Sequence, residues 1–133
     1  MRRGFLPLAG LTLLAACQSA PNSALEPSRP GDDSALSMME RVAVAAQRCW
    51  FAASDPAFKG LALSPELTSH SGTPRILAVP RGNVAGLPSL VVEARGNPGR
   101  LSAYGPLMSG PHGGRLAADL RRWSQRDASC GKA

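Results

Sequence analysis

Aromatic residues make up only 5% of this 133-residue chain, and it carries just two His and three Cys. Each scarcity removes a class of function. A nucleic-acid surface combines a concentrated basic stripe with aromatics that stack on bases. Here the net charge of +6 is spread without a run of like charges, and the aromatics are too few to interleave with it. The phosphate-cradling patterns G-x-G-x-x-G and G-x-x-x-x-G-K are absent. No apolar run approaches the roughly twenty residues of a membrane-spanning helix. The two histidines, His70 and His112, lie in Gly/Ser/Pro-rich stretches, and no pair of candidates shows C-x₂-C or H-x₃-H spacing. Zinc needs several converging ligands, so neither a metal nor a cofactor is expected.

What is present begins with the first seventeen residues. Met1-Arg2-Arg3 is a short positive start, Phe5 to Leu14 is a mainly apolar run, and Ala15-Ala16 are small residues before Cys17. That order of parts is the layout of an export signal peptide. The tetrapeptide Leu14-Ala15-Ala16-Cys17 resembles the lipobox of bacterial lipoproteins. The resemblance implies a diacylglyceryl group on the Cys17 sulfur, cleavage before Cys17, and acylation of the new amino terminus. Two or three acyl chains hold a protein firmly to a bilayer where one does not. Gln18 follows the cysteine; in that class an Asp there favours inner-membrane retention, so Gln18 points toward the outer membrane and a periplasm-facing domain. The resemblance ends at residue 18.

Loss of residues 1–16 removes Arg2 and Arg3 and lowers the charge from +6 to +4. Anionic lipid head groups or an acidic envelope protein suit such a charge better than nucleic acid. Residues 17–33 then form a lipidated tether, since the Pro, Ser, Asn and Asp of "QSAPNSALEPSRPGDD" offer too little apolar surface to fold alone. One domain remains, residues 34–133, within the size range that folds independently.

In that domain, Leu36, Met39, Val42, Ala43, Ala46 and Trp50 recur at helical steps between Ser34 and Phe51, which predicts an amphipathic helix. Asp32, Asp33 and Ser34 offer N-caps, Ser37 with Glu40 offers a later capping box, and Ser54-Asp55-Pro56 closes the helix. Short branched runs at Arg75–Val79 and Leu90–Arg95 read as strands bounded by Gly and Pro, and Arg100–Tyr104 as a third after the tight connector Gly96-Asn97-Pro98-Gly99. Phe58–Leu63 is a weaker candidate. Leu90, Val92 and Ala94 share one face, with Val91, Glu93 and Arg95 opposite. Leu116, Leu120 and Trp123 mark a second helix, with Arg115 and Asp119 as an i,i+4 pair.

The expected fold is a small two-layer α+β domain: helix, antiparallel meander of about three strands, helix. With Cys17 lipidated, Cys49 and Cys130 remain as an even pair in an oxidising compartment, which predicts a disulfide. Such a bridge would join the helix ends and favour parallel helices, which an odd number of strands supplies.

Three motifs invite chemistry. "QRCWF" around Cys49 suggests a cysteine nucleophile, but a helix C-terminus opposes a thiolate. "PHGGRL" suggests an oxyanion loop, but no G-x-S-x-G elbow accompanies it. Arg115, Arg122 and Arg126 fall on one side of the second helix, with Arg121 at the border. Forked guanidiniums grip carboxylates or phosphates, so this is a candidate anion-binding face; the alternative is a solvated face partly neutralised by Asp119 and Asp127. The function expected is therefore that of a lipid-anchored envelope protein with a non-enzymatic binding or structural domain. The alternative is a small-ligand receptor or enzyme using a pocket between sheet and helices.

Overall fold

The computed structural model describes residues 33–68 and 72–132. The expected signal peptide, Cys17, the expected tether except for Asp33, and His70 lie outside those residues. The domain is α+β, with helices on one face of a four-stranded antiparallel meander of order β1-β2-β3-β4.

Helix α1 spans Ala35–Ala46 and is capped by the Ser34 hydroxyl, which accepts from the Ser37 N–H. Without a break it continues as a π-helical turn, Gln47–Ala52, carrying Cys49 and Trp50 into the core. The buried face is wider than the predicted stripe. Met39, Val42, Ala46 and Trp50 are buried as expected, but Met38, Ala45 and Cys49 join them, while Leu36 is 40% exposed. A short 3₁₀ turn, Pro56–Phe58, follows, capped by the Asp55 carboxylate, which accepts from the Ala57 N–H.

Strand β1 is Leu61–Glu66, β2 Arg75–Pro80, β3 Leu90–Arg95 and β4 Arg100–Tyr104. There are thus four strands rather than about three, the extra one being β1, displaced toward the C-terminus from the weak candidate. Pro65 and Ser64 disguise it as a loop in sequence. The core-facing side pairs Ile76 with Val92 and Ala78 with Leu90, and Val92 with Ala103. On the other side Leu77 lies opposite Val91 and Val91 opposite Tyr104, rimmed by the ion pairs Arg75–Glu66 (2.6 Å) and Arg95–Glu93 (3.2 Å). After β4, Gly105 turns the chain with φ +119°, and a Cβ there would lie 2.7 Å from the Ser89 carbonyl oxygen. The short helix α2 (Pro106–Ser109) and then α3 (Gly113–Ser124) complete the fold.

The two long helices run antiparallel, which corrects the expectation of parallel helices. Asp33, before α1, lies 3.5 Å from Arg126, after α3. Asp55, beyond the other end of α1, lies 2.7 Å from Arg115 in the first turn of α3. The fourth strand reverses the chain once more than three strands would. The disulfide still forms because the segment after α3 doubles back. Arg126 N–H donates to Trp123 O (3.2 Å) and Asp127 N–H to Arg122 O (3.0 Å), the two bonds of a Schellman helix stop. Arg126 holds the left-handed position at φ +69°.

Candidate functional site

The returning segment, residues 127–131, acts as a strap across the ends of α1 and α3. Cys130 is joined to Cys49, with Cα atoms 5.3 Å apart. Trp123 Nε1 donates to Ser129 O (3.0 Å), Arg48 donates to Ala128 O, and Ser129 N–H donates to Asp127 Oδ1 (3.0 Å). The Ser129 hydroxyl and N–H together hold the Asp127 carboxyl below its ordinary pKa.

Beneath the strap lies an ionic network. Asp119 is 2% exposed, accepts from Trp50 Nε1 at 2.9 Å, and pairs with Arg115 at 3.6 Å and with Arg122. Arg115 also forks onto Asp55, itself 6% exposed, through contacts of 2.7 and 2.9 Å. Planar guanidinium geometry suits such bidentate contacts. Aromatic rings pack around the network: Trp50 lies 4.7 Å from both Phe58 and Trp123, centroid to centroid.

The three arginines of the predicted anion-binding face are thereby placed. Arg115 and Arg122 turn onto buried carboxylates of this chain, and Arg126 reaches Asp33. All three thus contact carboxylates of this chain, while the Arg122 and Arg126 side chains stay 30% and 43% exposed. Helical periodicity found them on one side but could not reveal Asp55, sixty residues from Arg115 in sequence. The one local clue was the Ser54-Asp55-Pro56 stop itself, because a capping Asp before Pro is a carboxylate held in place by backbone. His112 precedes α3, its carbonyl accepting from the Leu116 N–H (3.0 Å). Among the described residues no three His, Cys, Asp or Glu side chains group as a metal-holding cluster, and no helix is long and apolar enough to cross a membrane.

Two concave surfaces flank this framework. A groove of about 630 Å³ lies between the π-helical turn and the start of β1, with Trp50, Phe51 and Phe58 as its floor and Lys59 and Arg81 at its rim. A second, of about 370 Å³, lies between β4 and α3 over Met38, Leu101, Ala103, Met108 and Leu120, with Arg121 at its edge. Comparison with known proteins finds no matching family, curated protein or solved structure.

Proposed function

We propose that this is a lipid-anchored protein of the bacterial cell envelope, with an outer-membrane address read from Gln18, whose non-enzymatic domain binds or supports another envelope component. The observation that carries this reading is how the cysteines divide. Cys49 and Cys130 are joined, which suits an oxidising compartment, and that leaves Cys17 as the remaining cysteine, at the end of the lipobox-like "LAAC". The strongest cluster of charged groups supports a structural rather than chemical role for those residues, because Asp55, Asp119, Arg115 and Arg122 neutralise one another. The test is the intact mass of the protein extracted from membranes after thiol alkylation without reduction. A chain beginning at Cys17, carrying acyl groups and no alkyl label, is the expected result. An unacylated chain, or one retaining residues 1–16, overturns the anchor.

The groove floored by Trp50, Phe51 and Phe58 favours a second reading, a receptor for a small anionic aromatic or aliphatic ligand held by Lys59 and Arg81. An anionic naphthalene dye would then bind with an affinity that falls on Lys59→Glu/Arg81→Glu. Binding indifferent to those charges would remove this reading.

A further inference from the structure

The two edges of the sheet are not equivalent. Ala94 N–H donates to Pro74 O at 3.2 Å, and in an antiparallel ladder residues alternate in the neighbour they bond. Leu90, Val92 and Ala94 therefore direct their backbone groups toward β2, and Val91, Glu93 and Arg95 toward β4. Their partners across the β3–β4 pair are Tyr104, Ser102 and Arg100. Leu101 and Ala103 consequently present their N–H and C=O groups along the open edge of β4. The same parity, carried through β2, turns Leu61, Leu63 and Pro65 of β1 toward the opposite edge. There Pro65 has no N–H to offer, and the Leu61 carbonyl accepts from Arg81 Nη2 at 3.3 Å. Proline on the open side is a common way to blunt a sheet edge. Edge β1 is blunted; edge β4 is left able to pair.

Beside β4 lies the groove of about 370 Å³, whose floor includes the side chains of Leu101 and Ala103 themselves. A strand laid along β4 would place alternate side chains into it, the arrangement by which sheet edges capture extended peptides. Arg121 is exposed at the edge of the groove, and Arg100 is exposed at the start of β4, on the sheet face opposite Leu101 and Ala103; among the described residues neither forms an ion pair. A second copy of this chain pairing β4 to β4 would bring those like charges together, whereas an acidic strand would complement them.

We propose that the β4 edge and the groove between β4 and α3 receive an extended, acidic segment of a partner protein as a fifth strand. Aliphatic side chains at every second position enter the groove, carboxylates at the intervening positions meet Arg100 on the other face of the sheet, and a carboxylate at the end of the segment meets Arg121 at the groove's edge. The inference deepens the binding reading above by naming the surface and the kind of partner.

The test uses the full chain, solubilised in detergent and labelled for amide NMR, titrated with an end-blocked hexapeptide alternating Glu and Val. The Leu101 and Ala103 amides should shift together, and their hydrogen exchange should slow about tenfold or more on saturation. Ala103→Pro, which removes an outward donor as Pro65 does in β1, should weaken binding about tenfold, and Arg100→Glu by a comparable factor. A hexapeptide alternating Lys and Val should leave both amides unmoved. Absence of any shift at millimolar Glu/Val peptide, or equal binding of the Lys/Val peptide, overturns the proposal. So does a concentration-dependent dimer with these amides already protected, which would assign the edge to a second copy. The mass of the same preparation reports acylation separately, so the anchor and the edge stand or fall apart.

Discussion

Trp50 Nε1 donates a 2.9 Å hydrogen bond to Asp119 Oδ2, joining residues 69 positions apart in sequence. The bond ties the π-helical extension of α1 to the middle of α3, and Arg115 extends it to Asp55. The interior of the domain is therefore set by polar geometry as well as by apolar packing.

Removing the Asp119 carboxylate leaves Trp50 Nε1 without its acceptor and two guanidiniums without their shared partner. Asp119→Ala should lower unfolding free energy by about 3 kcal/mol, measured by denaturant titration with the disulfide intact. A change indistinguishable from that of an exposed surface substitution would count against a cooperative network.

Cys49→Ser and Cys130→Ser should each destabilise to a similar degree, and the double substitution should cost no more than either alone. The separation of 81 residues puts the chain-entropy effect near 4.5 kcal/mol, an upper bound in practice. Two different, additive losses would show that the cysteines act independently.

Arg126 separates a structural from a functional account of the arginines. It holds a left-handed conformation, φ +69°, which costs a non-glycine residue about 1 kcal/mol, and its pairing with Asp33 at 3.5 Å is half-exposed and of small worth. Arg126→Gly should accordingly raise thermal stability, by about 1 kcal/mol at most. A loss of stability would mean that the Asp33 contact outweighs the backbone strain.

Two adjacent glycines at the start of α3 should respond oppositely to alanine. A Cβ on Gly113 would run into the Met108 carbonyl group, while one on Gly114 would meet nothing within 4 Å. Gly113→Ala should be strongly destabilising; Gly114→Ala should be neutral or stabilising by about 0.4–1 kcal/mol. Calorimetry on the pair checks whether α2 packs against α3 as described.

How far these features could be read from residues alone differed by element. Strand β3, and β2 all but its final proline, are marked by branched runs bounded by Gly and Pro, and β4 by its place after the Gly96-Asn97-Pro98-Gly99 connector. β1 is obscured by Pro65, a residue that argues against a central strand yet is at home on an edge. The face of α1 is broadened by Met38, Ala45 and Cys49, and the π-helical turn carries it beyond the ordinary helical repeat. The disulfide was legible from cysteine parity, whereas helix direction depended on the strand count. The arginine side of α3 was visible, but its meaning was set by Asp55 and Asp33, which only tertiary structure brings near.

The strap should loosen in acid. Hydrogen bonds from Ser129, hydroxyl first and then N–H, depress the Asp127 pKa below its ordinary value of 3.8. A carboxylate depressed on folding contributes order that is complete above its unfolded pKa and is lost as pH falls through the folded one. The protection factor of the Ser129 amide, its exchange rate relative to an unstructured peptide at the same pH, should therefore be high near neutrality and fall as pH drops below about 4. Asp127→Asn should remove that pH dependence.

The position of the disulfide also has a mechanical consequence. Cys49 comes just after α1 and Cys130 after α3, beyond the last element of the domain. A pull applied between the two ends of the domain finds a covalent path that runs along α1, crosses the sulfur bridge and leaves. Residues 50–129, the whole meander with α2 and α3, form a closed loop outside that path. Tension through the amino-terminal side can unravel α1, but it cannot stretch the sheet.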